Sequence, residues 1–199
     1  MERQGDPQLV AIPIFVVGST ALGFQLVEFP SAVALGSPLP IILLATGLSL
    51  FVSTLWAAAV GQSFVASVAG LFGGFWLSYG TLVLGLQHDW FKIPAGDVTD
   101  TVAMFAISWA VIFLLLMIAS FRLPVIYTAI IGLVVVALAL VAVAYLRTPV
   151  SESTLNAAGV VVFAFAALGG WVFLSVGSRS LGGGGLPMGR PIIRASEPS

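Results

Sequence analysis

The sequence predicts an all-α fold, a bundle of six membrane-spanning helices, and three observations carry that prediction. Hydrophobic residues make up 59% of the 199-residue chain and charged residues only 8%. The seven basic and eight acidic side chains fall almost entirely in gaps between six long apolar stretches. Each stretch has the ~20 residues that a helix needs to cross a hydrocarbon core of ~30 Å. A soluble helix of this kind would need a polar face, and these have none; helices apolar all round are buried in protein or lipid.

The spans are expected at 9–27, 39–60, 63–86, 101–119, 125–146 and 155–177. The first follows Arg3 and superficially resembles a secretion signal. Its apolar run exceeds the ~7–15 residues of such a signal, and no small-residue cleavage site follows, so it is read as a retained span. Pro7 precedes this run and Pro13 lies inside it. Regular helix therefore starts late or bends there, which is harmless in a first turn; alternatively, the broken helix exposes backbone groups to a substrate. Pro30, Gly36, Pro38 and Pro40 separate the first and second spans, and Gly61-Gln62 makes a tight second connection. Pro94 and Gly96 follow the third span, Pro124 the fourth and Pro149 the fifth. In the third gap, Trp90 of His88-Asp89-Trp90 suits an aromatic belt at the membrane surface.

One compact domain results: an N-terminal segment over 1–8, a transmembrane domain over 9–178 and a flexible tail over 179–199. The run Gly182-Gly183-Gly184-Gly185 gives that tail its flexibility, and Leu186-Pro187-Met188-Gly189 is the stretch that could dock. No internal repeat is evident. Orientation follows the basic residues. Arg3, Arg122, Arg179, Arg190 and Arg194 lie on the side of the termini, against Lys92 and Arg147 on the other, so both termini are expected in the cytoplasm.

Composition narrows the function. A net charge of −1 with scattered basic residues gives no footprint for nucleic acid. With no cysteine and a single histidine, His88, no metal site is expected, nor any cofactor. No ionisable residue lies well inside a span; Glu28 stands at one edge. No set of nucleophile, base and metal ligand can be assembled there, which argues against an enzyme. Ion pumps and many proton-coupled carriers keep an ionisable group within the membrane. Any proton coupling here would use a proton that rides on the substrate, or loop carboxylates.

Three patterns remain as candidate functional features. Ala66, Gly70, Gly74 and Ser78 recur every fourth residue along the third span. Such a ridge of small side chains suits close helix packing, and it would also leave room for a solute. Thr46, Ser49 and Ser53 fall on one face of the second span; they either bond their own preceding carbonyls or line a pore. In the first span Ser19 and Gln25 share a face with Phe15 and Leu22, Gln25 being suited to an interhelical hydrogen bond.

Gly61-Gln62-Ser63-Phe64, followed by Gly73-Gly74-Phe75-Trp76-Leu77-Ser78, resembles the G-N-T-F…Y-G-S-F-W-L-T stretch of the acetate uptake transporter family. Leu186-Pro187-Met188-Gly189 is similar to that family's closing L-P-x-G, and length and span number agree. The family's N-terminal N-P-x-P-L-G-L is represented by Asp6-Pro7-Gln8-Leu9-Val10-Ala11-Ile12, with Asp6 in place of Asn. The resemblance implies a pore pinched by three side chains. Phe15 and Phe72 match two of them, Phe72 replacing a Tyr, and Ile131 or Leu133 matches the third.

The resemblance thus implies a plasma-membrane transporter or channel for acetate and related small monocarboxylates, proton-linked, with an apolar constriction in each protomer. It also implies a ring-shaped homo-oligomer, a hexamer, surrounded by lipid. Two other readings share the same span count: a passive channel for small neutral solutes such as urea or amides, and a structural membrane protein.

Overall fold

A computed structural model describes residues 5–31 and 36–193. Six helical spans account for most of them: α1 (Gln8–Leu26), a second span made of a π-helical segment (Ile41–Leu48) continuing into α2 (Ser49–Ala59), α3 (Ser63–Gln87), α4 (Val98–Ala119), α5 (Val125–Tyr145) and α6 (Glu152–Ser180). All six are long and apolar enough to cross a membrane. Arg3 and Arg194, which entered the orientation count, lie outside the described residues.

Sequence-local chemistry sets the ends. The Asp6 carboxylate accepts the backbone N–H of Gln8 at 2.9 Å, satisfying one of the donors that a helix start leaves open. Gly61 at φ +79° lies in the middle of the three-residue connection between α2 and α3, a left-handed conformation that costs glycine little. Pro94 and Pro124, in extended conformation, stop the chain before the fourth and fifth spans resume.

The spans form a ring in chain order, each packed against the next, and α6 closes back onto α1. The seam between α3 and α4 is the loosest of the ring. Missing side chains make the tight approaches. A Cβ on Gly23 would collide with the Phe163 ring, and one on Gly159 with Val27, so α1 and α6 run close together. A Cβ on Gly18 would lie 2.5 Å from Thr46, which brings the π-helical segment against α1.

The interior is apolar and rich in aromatic rings. Phe15, Phe72, Phe75, Trp76, Phe113 and Phe165 are all buried there. The outer faces are apolar as well, with Leu44, Phe51, Leu55, Met104, Val111, Leu115 and Leu174 among the exposed side chains, as a lipid-facing surface requires.

The chain beyond α6 has no regular secondary structure up to Ile193, yet it is seated on the bundle rather than detached. The Trp171 indole donates to the Pro187 carbonyl at 3.0 Å, and the Leu186 N–H donates to the Ser175 hydroxyl at 2.9 Å. The backbone N–H of Ile126 donates to Met188 at 3.3 Å and that of Ile193 to Phe121 at 2.9 Å. Gly189, at φ +75°, lies where a Cβ would strike Val125. Over 186–193 the chain thus forms a strap across the last third of α6, the start of α5 and the turn before it. Residues 194–199 lie outside the described residues.

Candidate functional site

Two cavities lie along the axis of the ring. The larger, of about 300 Å³, sits toward the end that bears the termini; residues from the start of α1, the first half of α3, the start of α5 and the second half of α6 line it. The smaller, of about 30 Å³, lies on the opposite side and is lined by Leu22, Trp76, Val134, Leu138, Val162 and Phe165, among others. Phe15 and Phe72 line both cavities.

The two rings meet edge to face with centroids 4.7 Å apart. Phe165 stacks on Phe15 at 5.7 Å, and Phe113 lies behind Phe72 at 4.7 Å. Phe113 is completely buried and lines neither cavity, so it packs behind the Phe72 ring. Such aromatic pairs favour edge-on and offset geometries. The contact between the cavities is thus hydrocarbon on hydrocarbon, and the Trp76 indole N–H, on a residue lining the smaller cavity, is a buried donor without a hydrogen-bond partner among the described residues.

Of the two residues expected to complete this constriction, Ile131 lines the larger cavity and is buried. Leu133, two residues on, is only partly buried and lines neither cavity. Asp6 and Pro7 lie at the start of α1. Asp6 acts through its bond to the Gln8 N–H, and Pro7 is buried.

The hydroxyls are used locally. Ser19 donates to the Phe15 carbonyl at 2.7 Å and Ser53 to that of Ser49 at 2.9 Å. Thr46 is fully buried and reaches toward the Ile14 carbonyl on α1 at 3.5 Å, and Ser49 is half-buried. None of the four lines either axial cavity. Gln25 accepts a hydrogen bond from the Tyr79 hydroxyl at 3.2 Å, tying α1 to α3. The small-residue ridge faces neighbouring helices. A Cβ on Gly70 would lie 3.2 Å from Thr54 on α2, and one on Gly74 3.2 Å from the Trp109 ring on α4. Ala66 is buried, and Ser78 donates to the Phe75 carbonyl at 3.1 Å.

Sequence reasoning missed Phe165 and Phe113. Phe165 had a readable signal. It shares a helix face with Ala158, Val162, Ala166, Gly169 and Val172, a mostly small-residue stripe that would bring one large ring against a neighbour. Phe113 had none, since α4 is apolar on every side.

A family model described as the GPR1/FUN34/yaaH family matches residues 9–179. Two proteins called acetate transporter protein patA are similar in sequence. The one from Aspergillus clavatus is 26% identical over 153 residues, covering 75% of this chain and 62% of its own. The one from Penicillium expansum is 25% identical over 147 residues, covering 72% of this chain and 59% of its own. The chain thus spans less than two thirds of the length of either relative. The solved structure of the bacterial acetate channel SatP superposes with a TM-score of 0.80 at 17% identity, over 93% of this chain and 99% of that one. That likeness speaks for the fold.

Proposed function

Because the chain belongs to the GPR1/FUN34/yaaH family, we propose that it moves acetate and related small monocarboxylates across the plasma membrane, linked to protons, through an apolar constriction at Phe15, Phe72 and Ile131. The observation that carries this reading is the placement of the Phe15 and Phe72 rings, 4.7 Å apart, between two cavities that both residues line. The names of the sequence relatives supply the substrate class.

Magnitudes decide which species crosses. Taking a bare carboxylate out of water without a partner costs several kcal/mol even after relaxation. Protonating a carboxyl with an ordinary pKa near 4 to 5 at neutral pH costs about 3 to 4 kcal/mol, at 1.36 kcal/mol per unit. The neutral acid then faces only the smaller cost of a buried polar group. With no ionisable side chain along the constriction, the proton travels on the substrate. Each protomer encloses its own passage, both termini face the cytoplasm, and the apolar outer faces meet lipid and neighbouring copies in a homo-oligomer, a hexamer.

Labelled acetate uptake into liposomes holding the purified protein, with and without an imposed inward proton gradient, tests the reading. Protein-free liposomes subtract spontaneous diffusion of the acid. Gradient-driven accumulation above that background is expected. Acetate movement that is electrogenic and indifferent to the gradient would overturn the proton linkage, and no flux above background would overturn the transport reading.

A further inference from the structure

Among the described residues that line the larger cavity, only Gln8 and Tyr127 carry polar side chains, and they come from different helices. Gln8 begins α1 and Tyr127 stands in the first turn of α5. The Tyr127 hydroxyl donates to the Gln8 Oε1 at 3.3 Å, a long bond for an O–H donor. The Gln8 backbone is fixed separately by its N–H to the Asp6 carboxylate. Its side-chain Nε2 makes no protein hydrogen bond among the described residues and remains a donor at the rim.

From this geometry we infer that Gln8 and Tyr127 form a carboxyl-binding station at the termini-bearing mouth of the passage, a role that rests on the transport reading above. The Tyr127 O–H turns from Gln8 Oε1 to one carboxylate oxygen, and Gln8 Nε2 donates to the other. Two neutral donors suit an anion that needs its oxygens solvated and gives up water in stages. The hydrocarbon beyond them suits the methyl group, pointing toward Phe15. The station therefore orients the acid before it meets the constriction, and hydrogen bonds to a charged acceptor are the stronger kind.

The protein contains its own control. Tyr79 and Gln25 form a second tyrosine–glutamine bond, at 3.2 Å, that also ties α1 to a neighbour but lines neither axial cavity. Acetate flux is measured as a function of concentration at each face, in right-side-out and inverted vesicles, for the unsubstituted full chain and for Tyr127→Phe, Gln8→Leu and Tyr79→Phe. Elution as a single species confirms that each variant folds. Tyr127→Phe and Gln8→Leu are expected to raise the half-saturating concentration at the termini-bearing face by roughly five- to tenfold, the loss of about one hydrogen bond. The maximal rate at that face does not fall, because only the bound ground state is weakened, and half-saturation at the opposite face is unchanged. Tyr79→Phe leaves half-saturation unaltered at both faces.

Unchanged half-saturation in both Tyr127→Phe and Gln8→Leu would overturn the station and leave the transport reading intact. So would an equal effect from Tyr79→Phe, which would mark both pairs as helix ties. Absence of saturable acetate flux in the unsubstituted protein would overturn the transport reading and the station with it.

Discussion

The edge of one ring, Phe15 or Phe72, meets the face of the other with centroids 4.7 Å apart, and this contact separates a cavity of about 300 Å³ from one of about 30 Å³. Phe165 and Phe113 hold the pair from either side, at 5.7 Å from Phe15 and 4.7 Å from Phe72. The contact is therefore a packed plug and not two independent side chains.

Removing one ring should let water through. Phe72→Ala is expected to raise acetate flux at neutral pH by roughly tenfold, which needs only about 1.4 kcal/mol off the barrier. The pH dependence should flatten at the same time, because a wetted passage admits the ion. Phe72→Leu, which keeps the passage apolar, should retain the dependence. Liposome uptake at several pH values separates the two.

In the unsubstituted protein, uptake at fixed total acetate should rise as the outer pH falls. The neutral fraction of a carboxylic acid drops about tenfold for each pH unit above its pKa, so the rate should track that fraction between roughly pH 6 and 8. Initial rates across that range, with protein-free vesicles subtracted, provide the check. A rate independent of pH would exclude the neutral acid as the permeating species.

Gly18 and Thr46 make a testable packing pair. A Cβ at Gly18 would lie 2.5 Å from Thr46, whose branched side chain has little rotamer freedom to yield. Gly18→Ala should cost about 1–3 kcal/mol, the range for overpacking. The double variant Gly18→Ala with Thr46→Ser should recover part of the loss, since a serine can turn its hydroxyl aside. Melting temperatures in detergent measure both, and strict additivity would count against the contact.

The strap beyond α6 gives a fourth prediction. Trp171→Phe removes the 3.0 Å bond to Pro187 while keeping an aromatic ring. With about 1 kcal/mol of tethering lost, the amides of Leu186 and Ile126 should exchange their hydrogens roughly fivefold faster. Hydrogen exchange read by mass spectrometry should find the change confined to the strap and the first turn of α5.

Much of this architecture was legible because the membrane imposes a strong signal. Apolar runs and turn residues placed the six spans, whereas Phe15 and Phe72 were singled out as the constriction only through the family resemblance. The hydroxyl stripe shows where legibility stopped. Thr46, Ser49 and Ser53 share a face only if the whole second span keeps α-helical winding, whereas residues 41–48 are wound wider, with π-helical hydrogen bonds. Thr46 is thereby turned toward α1. Local sequence does not announce such a segment, because it depends on packing against Gly18 and on Leu77 seated against Gly47. The strap's docking was legible only as a possibility at Leu186-Pro187-Met188-Gly189, and where it docks was not. Its anchors are backbone groups of Leu186, Pro187 and Met188, and backbone groups carry no residue code.

The unequal chambers on the two sides of the plug give the protein a resting handedness. The small one has room for a water molecule and not for an acid the size of acetic acid, which the large one accommodates with space to spare. On the transport reading proposed above, a solute coming from the termini-bearing side is housed first and tested second. One coming from the far side must push the rings apart before it has anywhere to stay. On that reading, even a symmetric equilibrium across the membrane leaves the order of events asymmetric, with loading and unloading through different waiting rooms.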